Sequence, residues 1–184
     1  MDFYFISEDY LNFLRQYENK IMYGSSNYDG DKFTLGVIIE VNSIKYYAPV
    51  SSIKNYQLKD TLNLNKEAKK VCYPIIGEHN GKDKILSTIR LDFMFPVPNT
   101  EITKLIIKNI DSRKRMLVKK EYEYIKEKQD EISEKANSIY NKAIKPTHFL
   151  HEKCCNFKLL EEKHQEWVAL KEKEKKYKYL EKRN

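Results

Sequence analysis

Glycine is scarce: the 184 residues contain five, scattered, and none falls in a G-x-G-x-x-G or G-x-x-x-x-G-K-[ST] pattern. Those patterns let backbone amides wrap a nucleotide's phosphates, so nucleotide hydrolysis is not expected. Cysteine is scarcer, at three residues. Two of them, Cys154 and Cys155, are adjacent, which makes no disulfide framework and points to a reducing cytoplasm. No apolar run approaches the length that spans a bilayer, and Met1-Asp2-Phe3-Tyr4 lacks the basic and apolar stretches of a secretion signal, so no membrane association is expected. Metal-site signatures are missing too: there is no H-E-x-x-H, no zinc-deaminase pattern and no carboxylate cluster. His148, His151, Cys154 and Cys155 crowd into a short span, with Cys72 far off in sequence. Zinc sites usually pair ligands across two knuckles, so structural or helix-capping roles are expected for these four, with no metal and no cofactor. A cysteine nucleophile served by His148, His151 or His164 would lack any oxyanion device.

Positive charge and aromatic rings are abundant. There are 34 Lys and Arg against 27 Asp and Glu, a net charge of +7, with 14 Tyr and 8 Phe. The charge favours an anionic partner, and the rings offer faces on which unpaired bases stack, so nucleic acid leads. The plainer reading of any single Tyr is a core or half-buried sheet residue.

At this length one domain, 1–184, is the default. Phe3 to Ile6 reads as a short strand, and Ser7 as the N-cap of a brief helix that buries Tyr10, Leu11 and Leu14. Met22 to Asp31 has loop composition and contains Tyr28, with Lys32 just after it. Thr34 to Val41 and Ile44 to Val50 are β-rich runs joined by Asn42-Ser43, a hairpin signal. Pro49 is expected to loosen or end the pairing, leaving the next backbone N–H groups free for a ligand. Gln57 to Lys70 is loop or weak helix. Val71 to Glu78 and Lys84 to Leu91 form a second hairpin across His79-Asn80-Gly81, and Phe93 to Pro98 is an apolar edge segment broken by proline. A short helix is expected over Glu101 to Lys108. Asp111 then caps one long helix whose apolar stripe runs through Val118, Tyr122, Ile125, Ile132, Ala136, Ile139 and Ala143 to a stop near Pro146. A last helix from Asn156 buries Phe157, Leu160 and Trp167, and its charged continuation over 171–184 is expected to be solvated or ordered against an anionic partner. Strands first and helices after predict an α+β fold with a mostly antiparallel sheet.

Within that frame Ser51 and Ser52 follow a strand and precede Lys54. The first hairpin would bring Tyr28 and Lys32, at one strand's start, beside them at the other strand's finish. Metal-free RNA cleavage needs the 2′-hydroxyl to attack its own phosphate, help with its proton, cations for the pentavalent charge, and an acid for the leaving 5′-oxygen. Lys32 and Lys54 can stabilise the charge or move a proton. Ser51 and Ser52 titrate too high for base catalysis and suit positioning. Tyr28 can stack on a base or donate to the leaving group. The bland alternative is that hydroxyls and lysines are ordinary loop residues. Two rival functions stay open: a non-catalytic RNA-binding protein using the same surface, and a helical scaffold docking through Val118 to Ala143.

The order of several short motifs resembles the ToxN/AbiQ family, endoribonuclease toxins of type III toxin–antitoxin systems that act in phage abortive infection. They are FYFIS with a Tyr/Leu-rich helix, the Y-x-x-x-K of Tyr28 and Lys32, LGVIIEV with KYYAPVSSIK, IRLDFMFPVP, RKRML (Arg113 to Leu117) and CNFKLLEEKHQEW (Cys155 to Trp167). The resemblance implies a twisted, largely antiparallel sheet similar to that of the MazF/Kid toxins, with helices packed on it. It implies metal-independent cleavage to a 2′,3′-cyclic phosphate and a 5′-hydroxyl. It also implies an antitoxin of tandem RNA pseudoknot repeats, cut from its precursor by the toxin and kept in a closed protein–RNA assembly, with cellular or phage mRNA as the other substrates. The family's hydroxyl pair falls on Ser51 and Ser52, its lysines on Lys32 and Lys54, and its loop tyrosine on Tyr28. Relatives can carry Thr at the first hydroxyl, so Ser51 is a mild departure. Gln57 to Lys84 and the stretch after Lys171 depart more. Arg113, Lys114, Arg115 and Lys119 form the best phosphate-contacting cluster for the antitoxin, against a plain reading as solvated helix charges.

Overall fold

The computed structural model describes residues 1–21 and 35–181. Its first strand, β1 (Phe3–Ile6), leads into α1 (Glu8–Arg15), whose N-terminus is capped as expected: the Ser7 hydroxyl accepts from the Tyr10 amide at 3.3 Å. Strands β2 (Leu35–Val41) and β3 (Ile44–Ser52) form the first hairpin. Asn42 and Ser43 both take positive φ, 49° and 62°, the two-residue turn that matches strand twist. Helix α2 (Lys66–Val71) follows, capped by Asn65, whose side-chain oxygen accepts from the amides of Glu67 and Ala68. Then β4 (Cys72–His79) and β5 (Lys82–Arg90) make the second hairpin, and the short β6 (Phe95–Pro96) and β7 (Ile102–Lys104) complete the strands. The helices α3 (Ser112–Glu127), α4 (Gln129–Ala143), α5 (Leu150–Lys153) and α6 (Phe157–Glu181) come last. The fold is α+β: an antiparallel sheet in the order β4-β5-β3-β2-β1-β7, with β6 alongside β3, and helices packed on it. Among the described residues no helix is long and apolar enough to cross a membrane.

Four expectations need correction. Pro49 does not end its strand: β3 continues through it and changes neighbour, pairing with β6 at Tyr46 and Tyr47 and with β5 from Val50 to Ser52. Pro49 falls between these two partners on that edge, where a missing N–H costs no ladder bond. Second, the backbone of Val50 to Ser52 is therefore paired rather than free. Phe93 to Pro98 does supply an edge, as expected: among the described strands β6 pairs with β3, and Phe95, Pro96 and Val97 are buried. Third, Ile102–Lys104 is a strand, not helix, because β1 offers it an open edge (Tyr4 opposite Lys104, Ile6 opposite Ile102) and Ile and Thr suit a pleated surface. Fourth, the long helix is two. Lys128 departs from helical geometry (φ −99°, ψ 15°) between α3 and α4. The stripe follows two floors: α3 lies across β4, whereas α4 lies on β2, and one straight rod would leave one of them.

The core holds Tyr10, Leu11 and Leu14 of α1, Val37 and Ile39 of β2, Tyr46 and Tyr47 of β3, and Ile132, Ile139, Phe157 and Leu160 from the helices. Trp167 of α6 is buried and donates its indole N–H to Glu101 at 3.0 Å. Beyond Lys171 the helix continues to Glu181 with exposed side chains. Gln57 to Lys70 is ordered around Leu64, which packs with Ala68, Cys72 and Ile85 in a small second cluster.

Candidate active site

Strand β3 carries Ser51 and Ser52 on its last two residues, where it pairs with β5: Ser51 opposite Thr88 and Ser52 opposite Ser87. The Ser51 hydroxyl lies 3.3 Å from that of Thr88 and is half-buried, while Ser52 is exposed. Both line a groove of about 660 Å³ walled by β3, β5, β7, the segment after β7 and the start of α3. Its floor is apolar, with Val50, Leu105 and Val118, and its polar side chains converge from several elements: Ser87, Lys104, Lys114 and Glu121. Lys104 is held by Asp2 at 2.6 Å, an ion pair that lowers the Asp2 pKa and raises that of the ammonium. Glu121 is different. It is 6% exposed, among the described residues no cation pairs with it, and burial pushes its pKa above the ordinary carboxylate value. Ser87 lies close enough to oppose that rise, although among the described residues its buried hydroxyl makes no hydrogen bond of ordinary geometry.

Lys54 sits two residues past the strand, exposed, its backbone N–H donating to the side chain of buried Gln57 at 2.9 Å. It is not on the groove wall, and among the described residues no carboxylate pairs with it. Past it, Tyr56 is 77% exposed at the mouth of a smaller pocket of about 270 Å³, where the Arg90 guanidinium is gripped by Asp92 and lies 4.0 Å from the Phe93 ring centre. Tyr28 and Lys32 lie outside the described residues. The register puts Gly36 opposite Pro49 and Leu35 on the groove wall, so the chain enters β2 beside the serines.

The predicted phosphate-contacting cluster separates. Lys114 lines the groove. Arg115 turns back to the carbonyls of Lys108 and Ile110, at 3.1 and 2.9 Å, and Lys119 pairs with Glu123 on the outer face of α3. The Arg113 side chain lies outside the described residues. The His and Cys residues around α5 are occupied structurally: His148 Nδ1 accepts from the Leu150 amide, and His151 Nδ1 lies 2.7 Å from the Ala143 carbonyl. Cys154 and Cys155 are buried, which pushes the Cys154 thiol up to about 12 and Cys155 higher still, the reverse of an activated nucleophile. Among the described residues no three His, Cys, Asp or Glu converge as metal ligands would.

Sequence reasoning passed over Ser87, Thr88 and Glu121. The first two are hidden in an ordinary strand, and Glu121 in a charged helix run, Lys119 to Glu123, that reads as a solvated face.

The family model described as toxin ToxN of a type III toxin–antitoxin system matches residues 2–165. The chain belongs to the ToxN family. It is similar to the endoribonuclease ToxN of Pectobacterium atrosepticum, 29% identical over 170 residues that cover 91% of this chain and 94% of that protein. It is 28% identical to the endoribonuclease AbiQ of Lactococcus lactis, across 88% of this chain and 86% of the relative. A chain from a solved structure of a type III system, one in which a non-coding RNA pseudoknot selectively inhibits the toxin, superposes with a TM-score of 0.72 at 25% identity, covering 91% of this chain and 97% of that one. For a ToxN family member the strand switch at Pro49 is the feature that matters most. It carries the hydroxyl pair past β6 and alongside β5, onto the groove wall.

Proposed function

We propose that this ToxN family toxin is a metal-independent endoribonuclease that cuts RNA through its own 2′-hydroxyl, leaving a 2′,3′-cyclic phosphate and a 5′-hydroxyl. The observation that carries this reading is the groove at the end of β3, with Ser51 and Ser52 on its wall and the exposed Lys54 just beyond. A phosphate seated there receives hydrogen bonds from the two hydroxyls, which fix it for in-line attack, while Lys54 and Lys32 neutralise the charge that grows on its equatorial oxygens. Tyr28 contacts a base or the leaving group. The relatives' naming as endoribonucleases supports the reaction class.

The inhibitor in this proposal is RNA, an antitoxin of tandem pseudoknot repeats that the toxin cuts from its precursor and retains in a closed assembly. The pseudoknot-inhibited structural relative supports this. Arg113, Lys114, Arg115 and Lys119 contact its phosphates, with Lys114 the member that reaches the groove. Residues 1–184 work as one unit around a sheet of the MazF/Kid kind, in the cytoplasm, and cellular or phage mRNA supplies the other substrates. The test is expression without antitoxin. Ser52→Ala combined with Lys54→Ala abolishes growth inhibition in this account, each change removing a transition-state contact of the kind worth about 10²–10³-fold in rate. Undiminished toxicity in the double variant contradicts it.

A further inference from the structure

Two buried polar side chains meet at the groove, Ser87 and Glu121, and among the described residues the Ser87 hydroxyl makes no hydrogen bond of ordinary geometry. A bulge in β5 accounts for the aim of Ser87. On β4, Ile75 stands opposite Ser87 and the next residue, Ile76, opposite Ile85, so Leu86 is the extra residue. A bulge turns consecutive side chains toward one side, and Leu86 and Ser87 both reach the groove wall. Register then sets Ser87 directly across from Ser52, on the same face of the sheet. Glu121 comes from the opposite wall, three residues past Val118 on α3, which lies over the β4–β5 hairpin. Lys120, its neighbour, is drawn the other way, to the carboxylate and carbonyl of Glu78 at 2.7 and 2.6 Å.

A buried carboxyl is costly unless a cation pairs with it, and among the described residues Glu121 has no ion pair and Ser87 alone beside it. The chemistry proposed above assigns no acceptor for the 2′-hydroxyl proton: serines are poor bases, and Lys32 and Lys54 serve there as cations that neutralise the phosphate. We infer that Glu121 is the general base of the cleavage reaction, with Ser87 directing its carboxylate toward the 2′-hydroxyl of a ribose held over Ser52. The inference rests on the endoribonuclease reading. The Glu121 carboxylate takes the 2′-hydroxyl proton as the bond from the 2′-oxygen to phosphorus forms and the bond from phosphorus to the 5′-oxygen breaks. The departing 5′-oxygen takes a proton from solvent, to which Glu121 later returns its own. Burial makes this carboxylate more basic than an exposed one, which suits it to the task. Among the described residues the charged groups that share its groove are Lys104 of β7, held by Asp2, and Asp111 and Lys114 at the start of α3; Glu78 on β4 is held by Lys120, and β3 and β5 bring the hydroxyls of Ser51, Ser52 and Ser87 beside the apolar Val50 and Leu86.

The experiment compares the unaltered protein with Glu121→Gln, Glu121→Asp and Ser52→Ala on one short RNA, over a range of pH, reading kcat and KM separately together with the thermal midpoint. Glu121→Gln is expected to lower kcat by about 10²–10⁴-fold with KM changed by less than about threefold, and to erase the acid limb of the rate profile. Glu121→Asp keeps that limb at reduced rate, and Ser52→Ala keeps it while losing rate. The thermal midpoint of Glu121→Gln equals or exceeds that of the unaltered protein, whereas a structural carboxyl would leave the variant less stable. A Glu121→Gln protein that cuts at full rate with its acid limb intact, or an acid limb that Glu121→Asp also lacks, overturns the inference. An unaltered protein that makes no cyclic phosphate overturns the endoribonuclease reading beneath it.

Discussion

Glu161 and Glu121 are two carboxylates in opposite situations. On Glu161 one oxygen accepts from Tyr46 and Tyr140 at 2.7 and 2.6 Å and the other from Lys158 at 2.9 Å. Burial alone would raise its pKa, and the three hydrogen bonds together outweigh burial and lower it. A depressed carboxylate stabilises the fold above its unfolded pKa, and that stability drains away as pH falls through the lower, folded value. Glu161→Ala therefore strands the hydroxyl of fully buried Tyr46 and is expected to cost about 1–3 kcal/mol near neutral pH. The share of the deficit that the carboxylate charge carries is lost as pH falls through the lowered value, and what the stranded hydroxyl costs remains. Thermal unfolding of both proteins from pH 7 to pH 3 measures it, and a deficit independent of pH would show that the charge contributes nothing. Glu121 has the reverse sign: burial raises its pKa, so its ionisation works against folding as pH rises above the usual carboxylate value. Only the second carboxyl faces the groove, and that separates a residue that holds the helix to the sheet from one free to take a proton.

Hairpins are where the sequence was most readable. A period-two apolar pattern and a two-residue turn are both local, so β2–β3 and β4–β5 are written in the sequence itself, and with them the emergence of Ser51 and Ser52 at a strand's finish. What could not be read depends on neighbours far along the chain. Ile102–Lys104 becomes a strand only because β1 has an unfilled edge, Lys128 breaks a helix only because two floors differ, and the bulge at Leu86 leaves no mark in KILSTIR. Glu121 escaped notice for the same reason, since nothing in Lys119 to Glu123 says which charge turns inward. The close passage of β2 over β3 is a further device of this kind. A β-carbon at Gly36 would run into the Tyr47 ring and the Ala48 carbonyl, and Tyr47 is fixed by stacking on Phe95 at 5.3 Å and by donating to the Tyr4 carbonyl. Gly36→Ala is expected to destabilise the protein by about 1–3 kcal/mol and to reduce activity through the displaced strand, read by denaturant midpoint and cleavage rate together. An unchanged midpoint would mean that β2 yields without moving β3.

At the scale of the whole molecule, a net charge of +7 draws RNA in without choosing where it is cut. The choice comes from architecture. One strand runs through Pro49, exchanges β6 for β5 along one edge, and delivers two hydroxyls to a groove whose other walls include β7 and α3. Helix α6 runs on past Lys171 with its charged side chains in solvent, a basic and acidic mixture that adds nothing to the core. The central claim is that this groove breaks RNA with side chains alone. It is tested most directly by incubating the purified protein with RNA in excess EDTA and determining the new ends by mass spectrometry. The account predicts undiminished cleavage with 2′,3′-cyclic phosphate and 5′-hydroxyl termini. Cleavage that stops with EDTA, or that leaves 3′-hydroxyl and 5′-phosphate termini, would contradict it.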